Sequence, residues 1–77
     1  MDRQQLWRRL AARPRNVRFG EVEQLLILAG WSLDRTRGSH KHYRNGEQRL
    51  SVPFRRGTIL AVYVREVLER TRDEGDD

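Results

Sequence analysis

The eighteen residues RTRGSHKHYRNGEQRLSV, Arg35 to Val52, decide how this chain folds. Asn45-Gly46 is a strong signal for a two-residue type I′ hairpin turn, because both residues tolerate the positive φ that such a turn requires. The turn pairs Arg44 with Glu47 and Tyr43 with Gln48, and alternation then puts Tyr43, Leu50 and Val52 on one face of the hairpin. His40, His42, Arg44, Glu47, Arg49 and Ser51 take the other, polar face. In this register His40 stands across from Ser51 and His42 across from Arg49. The preceding turn yields to the same counting. A two-residue Gly38-Ser39 loop would pair Arg37 with His40 and carry Trp31 and Leu33 onto the polar side. A three-residue loop, Arg37-Gly38-Ser39, keeps them beside Tyr43 and sets Thr36 and Asp34 next to the histidines, so the longer loop is expected.

Working outward, the apolar spacing changes from two to that of helices. Leu6, Trp7, Leu10 and Ala11 mark a short helix within residues 2–12, ended by Pro14. A second helix is expected from an N-cap at Gly20, with Glu21 and Glu23 in its first turn, to a left-handed stop at Gly30. Its buried stripe is Val22, Leu25, Leu26 and Ala29, with Phe19 as a staple ahead of it. Pro53 ends the third strand. Thr58 is the expected N-cap of a last helix that reaches Arg70 and buries Leu60, Val64, Val67 and Leu68. The order is helix, helix, three-stranded antiparallel meander, helix: an α+β domain with one sheet face under the helices and the other open to solvent. The histidines belong to the open face. Residues 1–14 form a helical extension, 15–72 the α-β-β-β-α domain, and 73–77 an acidic tail expected to be disordered.

Seventy-seven residues make one small domain, too small for a deep enclosed pocket. Cysteine is absent and there are two histidines, which argues against a disulfide framework or a zinc site and for a reducing, cytoplasmic setting. The longest apolar run, Leu25 to Ala29, cannot span a bilayer, and no apolar leader opens the chain. No metal or small-molecule cofactor is expected. The net charge is +5, and fifteen of the sixteen cationic residues are arginine, the side chain best shaped to grip phosphate in two places. A basic domain of this kind fits a polyanion such as RNA, although a merely solvated charged surface would have the same composition.

The polar face supplies chemistry of a definite type. Metal-free cleavage of RNA needs a base for the 2′ hydroxyl, an acid for the leaving oxygen and cations around the phosphorus. Imidazole, with an ordinary pKa of about 6.5, serves either proton transfer near neutrality. A histidine on an exposed strand is also commonplace, so the residues alone leave the choice open.

The run from Asn16 to about Glu69 resembles the HicA family of bacterial and archaeal toxins. NVRF ahead of the helix, GW entering the first strand, R-x-x-GSH-x-x-Y in the hairpin and YVREVL in the last helix carry the likeness. The resemblance implies a fold like that of a double-stranded RNA-binding domain, with an extra N-terminal helix in this chain. It also implies an mRNA-cleaving endoribonuclease held inactive by a HicB-like antitoxin, with the histidine of the GSH motif, His40, as the catalytic residue. Two departures stand out. Many relatives have a second histidine directly after the first, where this chain has Lys41, and another branch has VP-x-H where this chain has Arg55. Turnover by one family histidine is expected to be slow, with His42 incidental and Arg35, Lys41, Arg49 and Arg55 available to bind phosphate. A non-catalytic RNA-binding module of the same fold is the alternative, and a protein-interaction domain with a basic face is a third.

Overall fold

The first helix owes its start to Asp2, whose carboxylate accepts from the Gln5 amide at 2.8 Å while the Gln5 side chain accepts from the Asp2 amide. In the computed structural model, which describes residues 1–54 and 58–72, this reciprocal cap opens α1, Arg3–Ala12. The chain then turns through Asn16, a non-glycine residue at φ 62°, into the two-residue strand β1, Val17–Arg18. Helix α2, Phe19–Leu28, follows at once. It starts ahead of the expected Gly20 cap: Arg18 is the N-cap, and its amide donates to the Glu21 carboxylate at 3.1 Å. Its end is as the sequence implies. Gly30 adopts φ +93°, and the amides of Gly30 and Trp31 donate to Ile27 and Leu26, a paired closure that satisfies carbonyls the helix would otherwise leave open.

Strands β2, Ser32–Arg37, β3, His40–Asn45, and β4, Gln48–Pro53, form an antiparallel sheet in that order. Both turns differ from expectation. The second hairpin pairs Asn45 with Gln48, so Gly46-Glu47 is the loop, with positive φ at Gly46 alone, the pattern of a type II′ turn. Moving the loop by one residue moves each pair by two, and so preserves the faces: Tyr43, Leu50 and Val52 are all at or below 5% exposure. The partners change, and His42 now faces Ser51 while His40 faces Pro53. The first hairpin uses the two-residue Gly38-Ser39 loop, pairing Arg37 with His40, Thr36 with Lys41 and Arg35 with His42. The parity problem is solved by a β-bulge: pairing shifts between Leu33 and Arg35, Asp34 is the extra residue, and Leu33 returns to a position opposite Tyr43. Trp31 is buried as the counting required, whereas Leu33, on a marginal strand, is half exposed.

Helix α3 is Ala61–Arg70. Thr58 does not cap it. Thr58 and Ile59 form a short strand, β5, paired antiparallel with β1, and Leu60 is the N-cap. One residue of shift exchanges the roles of neighbours, so Ile59 is buried and Leu60 is exposed. The core joins Leu6 and Leu10 of α1, Val22, Leu25 and Leu26 of α2, Val64, Val67 and Leu68 of α3, and the inner face of the sheet. Two long side chains tie α1 to the end of α3: the Trp7 indole donates to the Leu68 carbonyl and the Arg3 guanidinium to that of Thr71, both at 2.9 Å. The whole is a mixed α+β fold whose α2-β2-β3-β4-α3 portion has the arrangement of a double-stranded RNA-binding domain. Among the described residues no helix is long and apolar enough to cross a membrane.

Candidate functional site

The face of the sheet turned away from the helices is organised in rows by the ladder. Arg37, His40 and Pro53 form the row nearest the Gly38-Ser39 turn, Arg35, His42 and Ser51 the next, and Ser32, Arg44 and Arg49 the third. His40 and His42 occupy the central strand two residues apart, which at the strand rise of about 3.4 Å per residue separates their backbones by roughly 7 Å. His40 is exposed and has no side-chain partner among the described residues. His42 is half-buried and has one: its Nδ1 lies 2.7 Å from the Ser51 hydroxyl. A serine hydroxyl both donates and accepts, so it can hold this ring in its neutral or its charged form and leave Nε2 free towards solvent. Arginine stands beside each histidine, Arg37 by His40 and Arg35 by His42. Arg44 and Arg49 oppose each other directly, a repulsive pairing offset by Asp34, whose carboxylate is 3.7 Å from Arg49. Both members of that ion pair are well solvated, so it is worth at most about 1 kcal/mol.

The expected site residues divide. His40, Arg35 and Arg49 share the open face. Lys41 is on the opposite side, its ammonium 3.5 Å from Glu23 and about 5 Å from the ring centres of both Phe19 and Phe54. The two rings meet edge to face at 4.8 Å, so Lys41 fastens β3 to the start of α2. Arg55 lies outside the described residues, as does the acidic tail. Arg37 is a residue the sequence reading missed as part of the face, because the three-residue loop had consigned it to the turn. The Gly38-Ser39 dipeptide was the available signal, since glycine at the first central position is itself a two-residue hairpin preference.

The histidine row is held from beneath. Tyr43, between His42 and Arg44 in sequence, is buried and donates its hydroxyl to the same Glu23 carboxylate that meets Lys41. Burial, and then the hydrogen bond to Glu23 and its negative charge, push the Tyr43 phenol well above its ordinary pKa, so it stays a donor. At the turn, the Phe54 amide donates to the Ser39 carbonyl, fixing the GSH segment against the end of β4. The arrangement can offer a bound phosphodiester two imidazoles on one plane, with guanidinium groups on either side. Residues 19–72 match the family model of the HicA toxin of bacterial toxin-antitoxin systems, well over half the chain. No curated protein and no solved structure matches significantly.

Proposed function

The chain belongs to the HicA toxin family, and on that premise we propose that it is a metal-independent endoribonuclease cleaving mRNA, with His40 as a catalytic residue. As a family member it is the toxin of a toxin-antitoxin pair, and a HicB-like antitoxin is the proposed partner that silences it. The observation that carries the reading is the pairing of two histidines on the open face of β3, each flanked by an arginine on β2.

The chemistry follows from that arrangement. A phosphodiester laid across β3 between the imidazoles has one histidine near the 2′ oxygen and the other near the 5′ oxygen of the next nucleotide. One ring takes the 2′ proton as O2′ bonds to phosphorus; the other gives a proton to O5′ as the P–O5′ bond breaks. The products are a 2′,3′-cyclic phosphate and a free 5′ hydroxyl, with no further reactant required. Arg35 and Arg49, with Arg37 and Arg44 around them, stabilise the extra negative charge on the phosphoryl oxygens. His42 is thereby more than incidental, because Ser51 fixes its ring and the ladder puts it on the same face as His40. Lys41, engaged by Glu23, acts by bracing the strand.

The test is cleavage of an RNA oligonucleotide by purified protein in excess EDTA. Cutting should persist, leave a cyclic phosphate and fail on DNA and on 2′-O-methyl RNA. Replacing His40→Ala should lower the rate by roughly 10²- to 10⁴-fold, the range for loss of a positioned acid or base. The pH–rate profile of the parent should be bell-shaped, and His42→Ala should remove one limb. Cleavage by His40→Ala at the parental rate, or activity that needs added magnesium, would leave an RNA-binding module of the same fold as the better description.

A further inference from the structure

The charge of this protein is distributed very unevenly. Residues 1–18, ahead of the family match, carry six arginines against the single acid Asp2, while the other 59 residues carry ten cationic and ten acidic side chains. The entire formal net charge of +5 is therefore the excess on residues 1–18, which include Asp2, α1, the connector and β1. Arg3 is spent on the Thr71 carbonyl, and Arg9 shares a loose, solvated contact of 3.8 Å with Glu21. Arg13, Arg15 and Arg18 are exposed, and their guanidinium groups form no ion pair among the described residues, although the Arg18 backbone amide donates to Glu21.

These arginines gather around built concavities. A hollow of about 250 Å³ between the end of α1 and the start of α2 is lined by Arg9, Arg13, Arg15 and Arg18 together with one carboxylate, Glu21. A second, of about 390 Å³, adjoins it across the connector, where Arg13 and Arg15 are joined by Arg65 of α3. The backbone that presents them is constrained: Pro14 has a fixed φ, Asn16 holds a left-handed conformation, and Val17 and Arg18 are paired to β5. Guanidinium groups on a preset backbone lose less freedom on binding than those on a loose arm. Phe19, next to Arg18, is the ring against which Lys41 packs, and Lys41 adjoins His40. Phe19 also meets Phe54, whose amide is bonded to Ser39, so a chain of contacts joins Arg18 to the Gly38-Ser39 end of the sheet.

We propose that this arginine surface is a second phosphate-backbone site, which grips a part of the RNA strand remote from the histidine face, without reading its bases. The inference rests on RNA as the ligand, as under the proposed function, but needs nothing of the cleavage chemistry. Phosphate contacts of this type position a strand and make its affinity depend on salt. The molecule is 37 Å in its longest dimension, so only a strand longer than the histidine face can occupy both places. A 20-nucleotide RNA, about 68 Å long at the ~3.4 Å rise of a stacked strand, is ample.

The experiment measures binding of a non-cleavable 20-nucleotide 2′-O-methyl RNA from 50 to 200 mM salt. It compares the full chain with an Arg13→Gln, Arg15→Gln, Arg18→Gln triple variant. With three phosphate contacts at a slope of about 0.7 each, the plot of log affinity against log salt should be shallower by about 2 in the variant. Over that fourfold range the parent's affinity should then fall roughly 20-fold more than the variant's. On the parent itself, titration with the same RNA should shift the amide signals of Arg13 and of residues 15–18 at the same equivalence as those of β3. Parallel salt plots, or signals of Arg13 and 15–18 that stay still, overturn the proposal. So does the outcome in which the triple variant binds RNA as the parent does but loses an antitoxin, since the surface would then belong to a protein partner. Because the ligand cannot be cut, failure of the His40 assignment would leave these results unchanged.

Discussion

Replacing Tyr43→Phe removes one oxygen from beneath the histidine row, and its cost should change sign with pH. At neutral pH the hydroxyl donates to the Glu23 carboxylate, which among the described residues keeps only Lys41, at 3.5 Å, once the oxygen is gone. A hydrogen bond to a charged group contributes about 1.5–3 kcal/mol, and the partial exposure of Glu23 lets water replace some of it, so a loss of about 1.5 kcal/mol is expected. The ordinary phenol titrates near 10, and the folded Tyr43 titrates above that. Above about pH 10 the unfolded chain therefore releases a proton that the folded chain keeps, and the parent loses about 1.4 kcal/mol of stability per pH unit. Phenylalanine has no such proton. The advantage of Tyr43 should be constant up to about pH 9, vanish roughly one unit above 10 and reverse beyond it. Urea unfolding of parent and variant at matched pH values, followed by the fluorescence of buried Trp31, measures the difference directly and cancels the groups they share. A difference that stays constant from pH 7 to 11.5 would refute both the raised titration and the hydrogen bond as its source.

Two further predictions test the backbone. Deleting Asp34 should leave Leu33 opposite Tyr43 in a regular ladder and cost no more than about 1 kcal/mol, the ion pair with Arg49 being weak; a urea midpoint showing a much larger loss would mean that the bulge is not an absorbed extra residue. Gly30→Ala should cost about 1–2 kcal/mol through the positive φ alone, since an added Cβ meets nothing nearer than the Asn45 side chain at 3.7 Å, and thermal unfolding checks it.

The faces of the sheet were legible before the structure because face depends on parity, and parity is a robust quantity. The Asn45-Gly46 reading misplaced the loop by one residue and still buried Tyr43, Leu50 and Val52, since both strands slipped together. Pairings are less robust, and they determine the site: the same slip hid the contact between His42 and Ser51. At the first hairpin the requirement that Trp31 and Leu33 face inward was sound, but it had two solutions. A longer loop and a bulge restore parity equally, and nothing in Ser32 to Arg37 marks Asp34 as the residue to be absorbed. The β1–β5 pair escaped notice for another reason. Two residues in each strand cannot show an alternation, so Thr58 looked like a helix cap and Leu60 like a core residue. Lys41 lacked any sequence signal for its fate, which depends on Phe19, Glu23 and Phe54 converging from separate elements.

The bulge at Asp34 has a consequence for life at high concentration. Strand β2 is a margin of its sheet, with one side of its backbone facing away from β3. A straight margin invites a second copy to add its own strand there, the first step towards insoluble assemblies. The irregularity at Asp34 interrupts the repeat that such an addition would have to match, and Arg35 and Arg37 place like charges along it. The residue whose removal the monomer tolerates is thus the one that discourages copies from joining edge to edge, and its deletion should show itself in the lifetime of concentrated solutions before it shows in any unfolding curve.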